Sequence, residues 1–401
     1  MKKIISKSIL LSIGVILVNF GFKIYLSYRL PKEQIGIFYT QLDMVTAAAL
    51  FFSGYKDSLI RIVTEERFSR IGKRIVRTYA LTTLLLLPIL YLVYVKSGTA
   101  LFRPEFFLLF FIATQISNYY SYLNAAYRNY DSMLYEKSVK AVTLVAAFAL
   151  YSGFFEAVTA LILAYVTQPV VHTLYIYKTS PRLFFLRCGA EAGPLYRAFL
   201  KNCTLATLTT FLGSATVTLS GIVMLWLYDD GGILSEYQVV AKSVFFALIV
   251  VFVHPLAAYT FPEISKWIAS GKFWEIRRFD GILKKYLLLF MMLLLGATFL
   301  TPYAVAALFP PEYLHAYVLL NTLIPLLPFI VYTSFAINVL KGFDRFDLAL
   351  YVRAWGSAVF FFCIVLLYRA GVDAMSVVYS LDVSFFAMFL LAWYYKRRVL
   401  A

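Results

Sequence analysis

The sequence predicts an all-α, polytopic membrane protein with twelve transmembrane helices in two six-helix lobes and both termini on the cytoplasmic side. Three observations lead there. First, the 401-residue chain is 62% hydrophobic and only 14% charged, with a mean hydropathy of +0.77. A soluble chain is roughly 45–50% apolar and about 25% charged, and so few polar groups cannot cover a soluble surface. Second, apolar runs close to the length needed to cross a bilayer recur from end to end. Third, Lys and Arg concentrate in alternate connections.

The first run, 5–28 within MKKIISKSILLSIGVILVNFGFKIYL, opens like a signal peptide in charge. It is too long for one and lacks a small-x-small cleavage site, so it reads as a retained span. Further spans are expected at 37–60, 78–95, 106–126, 139–152 (short) and 156–177, completing an N-terminal lobe over 1–177. The linker KTSPRLFFLRCGAEAGPLYRAFL, 178–200, is cytoplasmic, and its FFLR stretch suits the membrane surface. A C-terminal lobe over 201–401 then carries spans at 201–227, 237–262, 286–304, 317–340, 349–368 and 375–395. The halves share faint self-similarity: YRLPKEQIGIFYTQLD and YDDGGILSEYQVVAKS link their first and second spans through Glu33 and Glu236. With even-numbered halves, such a repeat is parallel.

Charge orients these spans. With the N-terminus inside, the cytoplasmic side holds Lys2, Lys3 and Lys7, six cations in 61–77, three in 127–140, five in 178–201 and six in 263–285. It also holds Lys341, Arg345, Arg353 (at the start of 349–368), Lys396, Arg397 and Arg398. The other side has only Arg29, Lys32, Lys96, Arg103 and Arg369. The net charge of +16 therefore sets topology and meets anionic lipid headgroups; it does not indicate nucleic-acid binding. Cys188, Cys203 and Cys363 are scattered, and His172, His254 and His315 form no ligand cluster, so no metal site is expected. No Walker A, GxSxG or kinase signature appears, and no cofactor is expected.

Three cations remain inside spans: Lys23, Lys56 and Lys242. An ionisable group at membrane depth normally faces protein or a hydrated interior, although a lysine near a helix end also snorkels to the headgroups. Asp57, Arg61 and Glu65, at four-residue spacing, form either a boundary ladder or part of a cargo path beside Lys56. Among the anions, Asp43 and Asp382 lie deepest and suit coupling or charge balance, with a plain structural hydrogen bond as the alternative. In ATQISNYYSYLNAAY, Gln115, Asn118 and Tyr122 follow helical spacing and form a polar stripe that lines a cavity or ties helices together. Asn321, Pro325, Pro328, Asn338, Gln168–Pro169, His172 and His254–Pro255 mark further polar or broken helices of the kind that border cavities.

Several stretches resemble the polysaccharide-flippase (Wzx-like, O-antigen) branch of the multidrug/oligosaccharidyl-lipid/polysaccharide (MOP) exporter superfamily: RLPKEQIGIFYTQLD, SGYKDSLIRIVTEE, HPLAAYTFPEISKWIASGK and LFPPEYLHAYVLLNTLIPLLPFIVYTSFAINVLKGFDRFDLAL, with Asn338, Gly342 and Arg345. The resemblance implies a V of two six-helix lobes, as in the MATE transporters. It also implies alternating access that carries an undecaprenyl-pyrophosphate-linked oligosaccharide outward for surface-polysaccharide assembly. It implies the inner (plasma) membrane of a prokaryote, a polysaccharide polymerase as partner, and no enzymatic activity. The related lipid II flippases place cations in spans 1, 2 and 8, the spans that hold Lys23, Lys56 and Lys242 here. An Asp–Arg pair and a proline common in span 7 of the branch are missing from this sequence. The competing readings are a multidrug or organic-cation antiporter, for which Asp43 and Asp382 speak, and a membrane-embedded glycosyltransferase or ligase, which would require catalytic acids in a long outer loop.

Overall fold

A computed structural model describes residues 2–62, 65–96, 101, 103–127, 129–186, 189–190, 193–228 and 230–400, and these are helical almost throughout. They divide into two compact units, one of Met1–Leu30 with Gln41–Phe211 and one of Pro31–Thr40 with Leu212–Ala401. Pro31–Thr40 groups with the C-terminal unit and 201–211 with the N-terminal unit, whereas the sequence places each in the other half.

The N-terminal unit holds α1 (Lys2–Ser27), the second half of α2 (Lys32–Leu50), α3 (Ser53–Ile62), α4 (Glu65–Lys96), α5 (Pro104–Ala126), α6 (Tyr130–Tyr151), α7 (Ala157–Thr179) and the start of α8 (Pro194–Tyr228). Its packing centres on α7, which lies against α5 and α6, while α1 lies against α6. Phe22 and Tyr25 of α1 set ring edges on Phe148 of α6, at centroid distances of 5.3 and 6.2 Å. The expected span 37–60 is interrupted at Phe51–Phe52, and α3 follows as a separate helix. Gly54 permits the close approach of α3 to α8: a Cβ there would collide with the Cys203 carbonyl and Thr207 of α8, and its N–H donates to Thr207 Oγ1 at 3.1 Å.

The C-terminal unit holds the first half of α2, the rest of α8, a short α9 (Gly231–Ser235), a π-helical turn (Glu236–Ala241) and α10 (Lys242–Ala269). It continues with α11 (Phe273–Thr298), α12 (Thr301–Leu308), α13 (Ala316–Leu323), α14 (Leu327–Gly342), α15 (Phe346–Arg369) and α16 (Met375–Leu400). The Ala316–Gly342 span is 72% buried and central, and α11, at 11%, is peripheral. Proline shapes the central span, since Pro325 falls in the 3-10 turn Ile324–Leu326 that joins α13 to α14.

Among the described residues, eight helices are long and apolar enough to cross a membrane. The number rises to ten when the broken pairs Lys32–Leu50 with Ser53–Ile60 and Pro194–Ser214 with Thr216–Tyr228 each count as one. The chain is a multi-pass membrane protein of this kind, and the expected count of twelve is not reached by this measure. The shortfall is at α5 and α6, which have the length but carry polar side chains that lower their hydropathy. The fifth expected span, 139–152, begins a full nine residues late, because α6 starts at Tyr130.

Candidate functional site

Lys242 follows the π-helical turn directly and begins α10. A π turn inserts a residue into the helical ladder, re-aims the side chains beyond it and is frequent at functional positions. Side chains hold this turn: Ser243 Oγ donates to the Gln238 carbonyl at 2.9 Å, and the Gln238 side chain is itself anchored, its Nε2 donating to Thr40 Oγ1 at 3.1 Å. Tyr237 OH and Ser220 Oγ share a hydrogen bond of 2.5 Å, and the Lys242 ammonium lies 5.8 Å from the Tyr237 ring centroid. Lys242 is only 5% exposed, so it is not a lysine snorkelling at a helix end.

The turn is gripped at its start. Lys32, the first residue of α2, places Nζ 2.6 Å from Glu236 Oε1 and donates to the Glu312 carbonyl at 2.6 Å, with the Tyr313 ring centroid 5.3 Å away. Ser235 Oγ donates to the Lys32 carbonyl, and a Cβ on Gly36 would strike Ser235. The sequence motifs around Glu33 and Glu236 pointed to these two segments; that they pack together through Lys32 was not legible there.

The other expected site residues fall as follows. Lys23, in α1, is half-buried and belongs to the N-terminal unit. Lys56, in α3 of the same unit, is exposed, because Tyr55, Ser58 and Leu59 form the buried face of that helix. Tyr55 packs against Phe52, Tyr79 and Phe199, which leaves Lys56 pointing away from the aromatic cluster. The side chains of Asp57, Arg61 and Glu65, and of His254 and Pro255, lie outside the described residues. Asp43 is half-buried on α2. Asp382, on α16, buries its Oδ1 with no hydrogen-bond partner among the described residues.

The α5 stripe separates into two faces. Gln115 is buried and accepts a 3.0 Å hydrogen bond from Tyr79 OH on α4, so it ties helices together, while Asn118 and Tyr122 are half-buried. A second stripe, Ser117, Ser121 and Asn124, escaped the sequence reading although it has the same helical spacing. It converges on Glu136 of α6 and His172 of α7. Ser121 Oγ and Asn124 Nδ2 each donate to Glu136 at 2.6 Å, His172 Nε2 is 3.4 Å from Glu136 Oε2, and Ser117 Oγ is 2.6 Å from His172 Nδ1. Asn124 extends the network to Ser132, Asn129 and Ser180. These bonds explain how helices too polar for a simple lipid-facing span pack together.

Arg353 was also missed. Because α15 begins at Phe346, Arg353 lies two turns inside the helix, and its guanidinium occupies the space where a Cβ on Gly213 would sit, with Nη1 2.5 Å away. Asn321 and Asn338, by contrast, serve packing. Asn321 accepts from Thr301 Oγ1 at 2.5 Å, and Asn338 donates to Thr260 Oγ1 at 3.3 Å.

No family model matches the chain, and no curated protein matches it. Solved structures do resemble it across nearly its whole length. A multidrug-resistance MATE-family transporter of the MOP superfamily, inward-facing, aligns with 96% of this chain and 94% of its own at 12% identity and a TM-score of 0.74. The lipid II flippase MurJ, inward closed, aligns with 99% of this chain and 87% of its own at 14% identity and a TM-score of 0.69. A MOP-superfamily transporter from Pyrococcus furiosus, described by a reversed polarity of its binding pocket, aligns with 99% of this chain and 94% of its own at 13% identity and a TM-score of 0.63. At these identities the likeness speaks to architecture: the chain has the fold of the MOP-superfamily transporters, the one shared by the MATE exporters and the lipid II flippase.

Proposed function

We propose that the protein is a flippase that moves a polyprenyl-pyrophosphate-linked oligosaccharide from the inner to the outer leaflet of a prokaryotic plasma membrane by alternating access. The observation that carries this reading is Lys242, a lysine 5% exposed within the Gly231–Val253 span, directly after a π turn whose first residue, Glu236, is held by Lys32. Lys242 and Lys23 are the cations that meet the pyrophosphate, and the exposed Lys56 is a rim contact. In a low-dielectric setting each ammonium–phosphate contact strengthens, and lysine offers a point charge without the fork of arginine. Asn118 and Tyr122 meet sugars, Gln115 holds their helix in place, and Asp43 and Asp382 balance charge or carry protons. A polysaccharide polymerase is the partner that would consume the exported glycan.

The test is to delete the gene and analyse the lipid fraction. Lipid-linked oligosaccharide accumulating on the inner leaflet, and cleared when the gene is restored, supports the reading. A normal lipid fraction contradicts it. A second reading, export of organic cations, is favoured by one observation, the buried and unpartnered carboxylate oxygen of Asp382. It predicts drug sensitivity in the deletion strain with no change in lipid-linked glycan.

A further inference from the structure

At one end of the C-terminal unit, the start of α11 and the end of α16 enclose a pocket of about 570 Å³ that no part of the proposed transport cycle uses. Its lining carries four cations, Arg277, Lys284, Lys396 and Arg397, against a single carboxylate, Asp280. Lys396 is the anchor. It is 1% exposed and sits 2.5 Å from Asp280 Oδ1 and 2.6 Å from Tyr332 OH, and Tyr332 in turn donates to Asp280 at 3.0 Å. Lys284 is 2.8 Å from Asp280 on its other oxygen. Asp280 is thus saturated by the two lysines and the tyrosine, which leaves the guanidinium groups of Arg277 and Arg397 to face the opening. Arg397 lies over the Trp393 ring, 5.1 Å from its centroid, which fixes its direction, and Arg277 is steadied by the Leu400 carbonyl.

We infer that this pocket binds the phosphate group of an anionic membrane lipid. The charge argues for a phosphate ester, because guanidinium forks match phosphate oxygens in pairs. The surroundings argue for a lipid over a free phosphate. Beyond Lys284, α11 exposes Tyr286, Leu288, Leu289, Met292 and Leu293, with Met292 67% exposed, so an apolar strip for acyl chains starts one turn from the cations. Both helices change from apolar to charged at this level, which is the composition of a membrane interface, and Trp393 is the residue type enriched there. By the charge distribution this is the cytoplasmic leaflet, where anionic headgroups attract basic clusters.

The test uses the full-length protein purified in detergent, with retained lipid read by native mass spectrometry. Phosphatidylglycerol should be retained in preference to phosphatidylethanolamine. Arg277→Gln with Arg397→Gln should weaken that retention by about tenfold or more, the order expected for losing two interfacial cations. Arg278→Gln with Arg398→Gln removes the same charge from neighbouring exposed positions outside the pocket and should leave retention unchanged. Inorganic pyrophosphate should not displace the lipid. Equal retention by the two double variants, or no preference for the anionic lipid in the unaltered protein, overturns the inference. Displacement by pyrophosphate also overturns it and assigns the pocket to a free phosphate compound. If the first double variant does not purify, Arg397→Gln alone against Arg398→Gln carries the same comparison.

Discussion

Lys32 Nζ and Glu236 Oε1 are 2.6 Å apart, although 204 residues separate them, and the pair joins the first turn of α2 to the π-helical turn that precedes Lys242. The carboxylate is almost fully covered, so removing either partner strands the other in a poorly hydrated place. The pair is therefore a brace for the π turn, and through it for the direction of Lys242.

The brace predicts coupling. In a cycle of Lys32→Met, Glu236→Gln and the double variant, each single change should lower stability in detergent by about 1–3 kcal/mol, and the double variant should lose less than their sum. Thermal unfolding of the purified variants measures this. Strictly additive losses would show that the two side chains do not act as a unit.

Gly54 predicts a steric defect in the N-terminal unit. Gly54→Val places a branched side chain against the Cys203 carbonyl and Thr207 of α8 and removes the room for the close approach of α3 to α8. The expected loss is about 1–3 kcal/mol, the usual size for overpacking. Gly14→Val, where a Cβ meets nothing within 4 Å, is the matched control and should be near neutral. Protease resistance of the two variants in membranes distinguishes them.

The Glu136 network predicts a graded response. Glu136→Ala leaves Ser121, Asn124 and His172 without their shared acceptor and should cost about 2–5 kcal/mol. Glu136→Gln keeps an acceptor oxygen and should cost less than half of that. Yield and melting temperature of the two variants provide the reading, and equal losses would mean that the carboxylate charge matters more than the hydrogen bonds.

Asp382 predicts a separation of binding from coupling. Asn has nearly the shape of a protonated Asp, so Asp382→Asn should fold and retain cargo while losing the dependence of transport on an imposed pH gradient. Transport measured in vesicles with and without the gradient tests it. An unchanged gradient dependence removes Asp382 from the coupling role.

Much of the architecture was legible in the sequence because hydropathy is local: the long apolar helices appear where the apolar runs are. The exceptions have physical reasons. α6 starts nine residues before its expected span because the polar side chains of its first turns are met by α5 and α7, a fact that no single segment contains. The early start of α15 hid Arg353 inside a spanning helix, since helix boundaries are the least local feature of a long apolar run. Lys242 stood out as an intramembrane cation, but the π turn before it depends on Thr40 and Lys32 from a distant segment. For Lys56 the sequence left the direction open, and Tyr55, Ser58 and Leu59 decide it by taking the buried face of α3.

The central claim is that intramembrane lysines hold an anionic, pyrophosphate-linked cargo. Its most direct test is translocation of a polyprenyl-pyrophosphate oligosaccharide in proteoliposomes containing either the unaltered protein or the Lys23→Ala/Lys242→Ala double variant, at matched insertion. The account predicts translocation by the first and a loss of about a hundredfold or more in the second, the scale of removing two charge-assisted contacts at roughly 1.5–3 kcal/mol each. Full translocation by the double variant would contradict it.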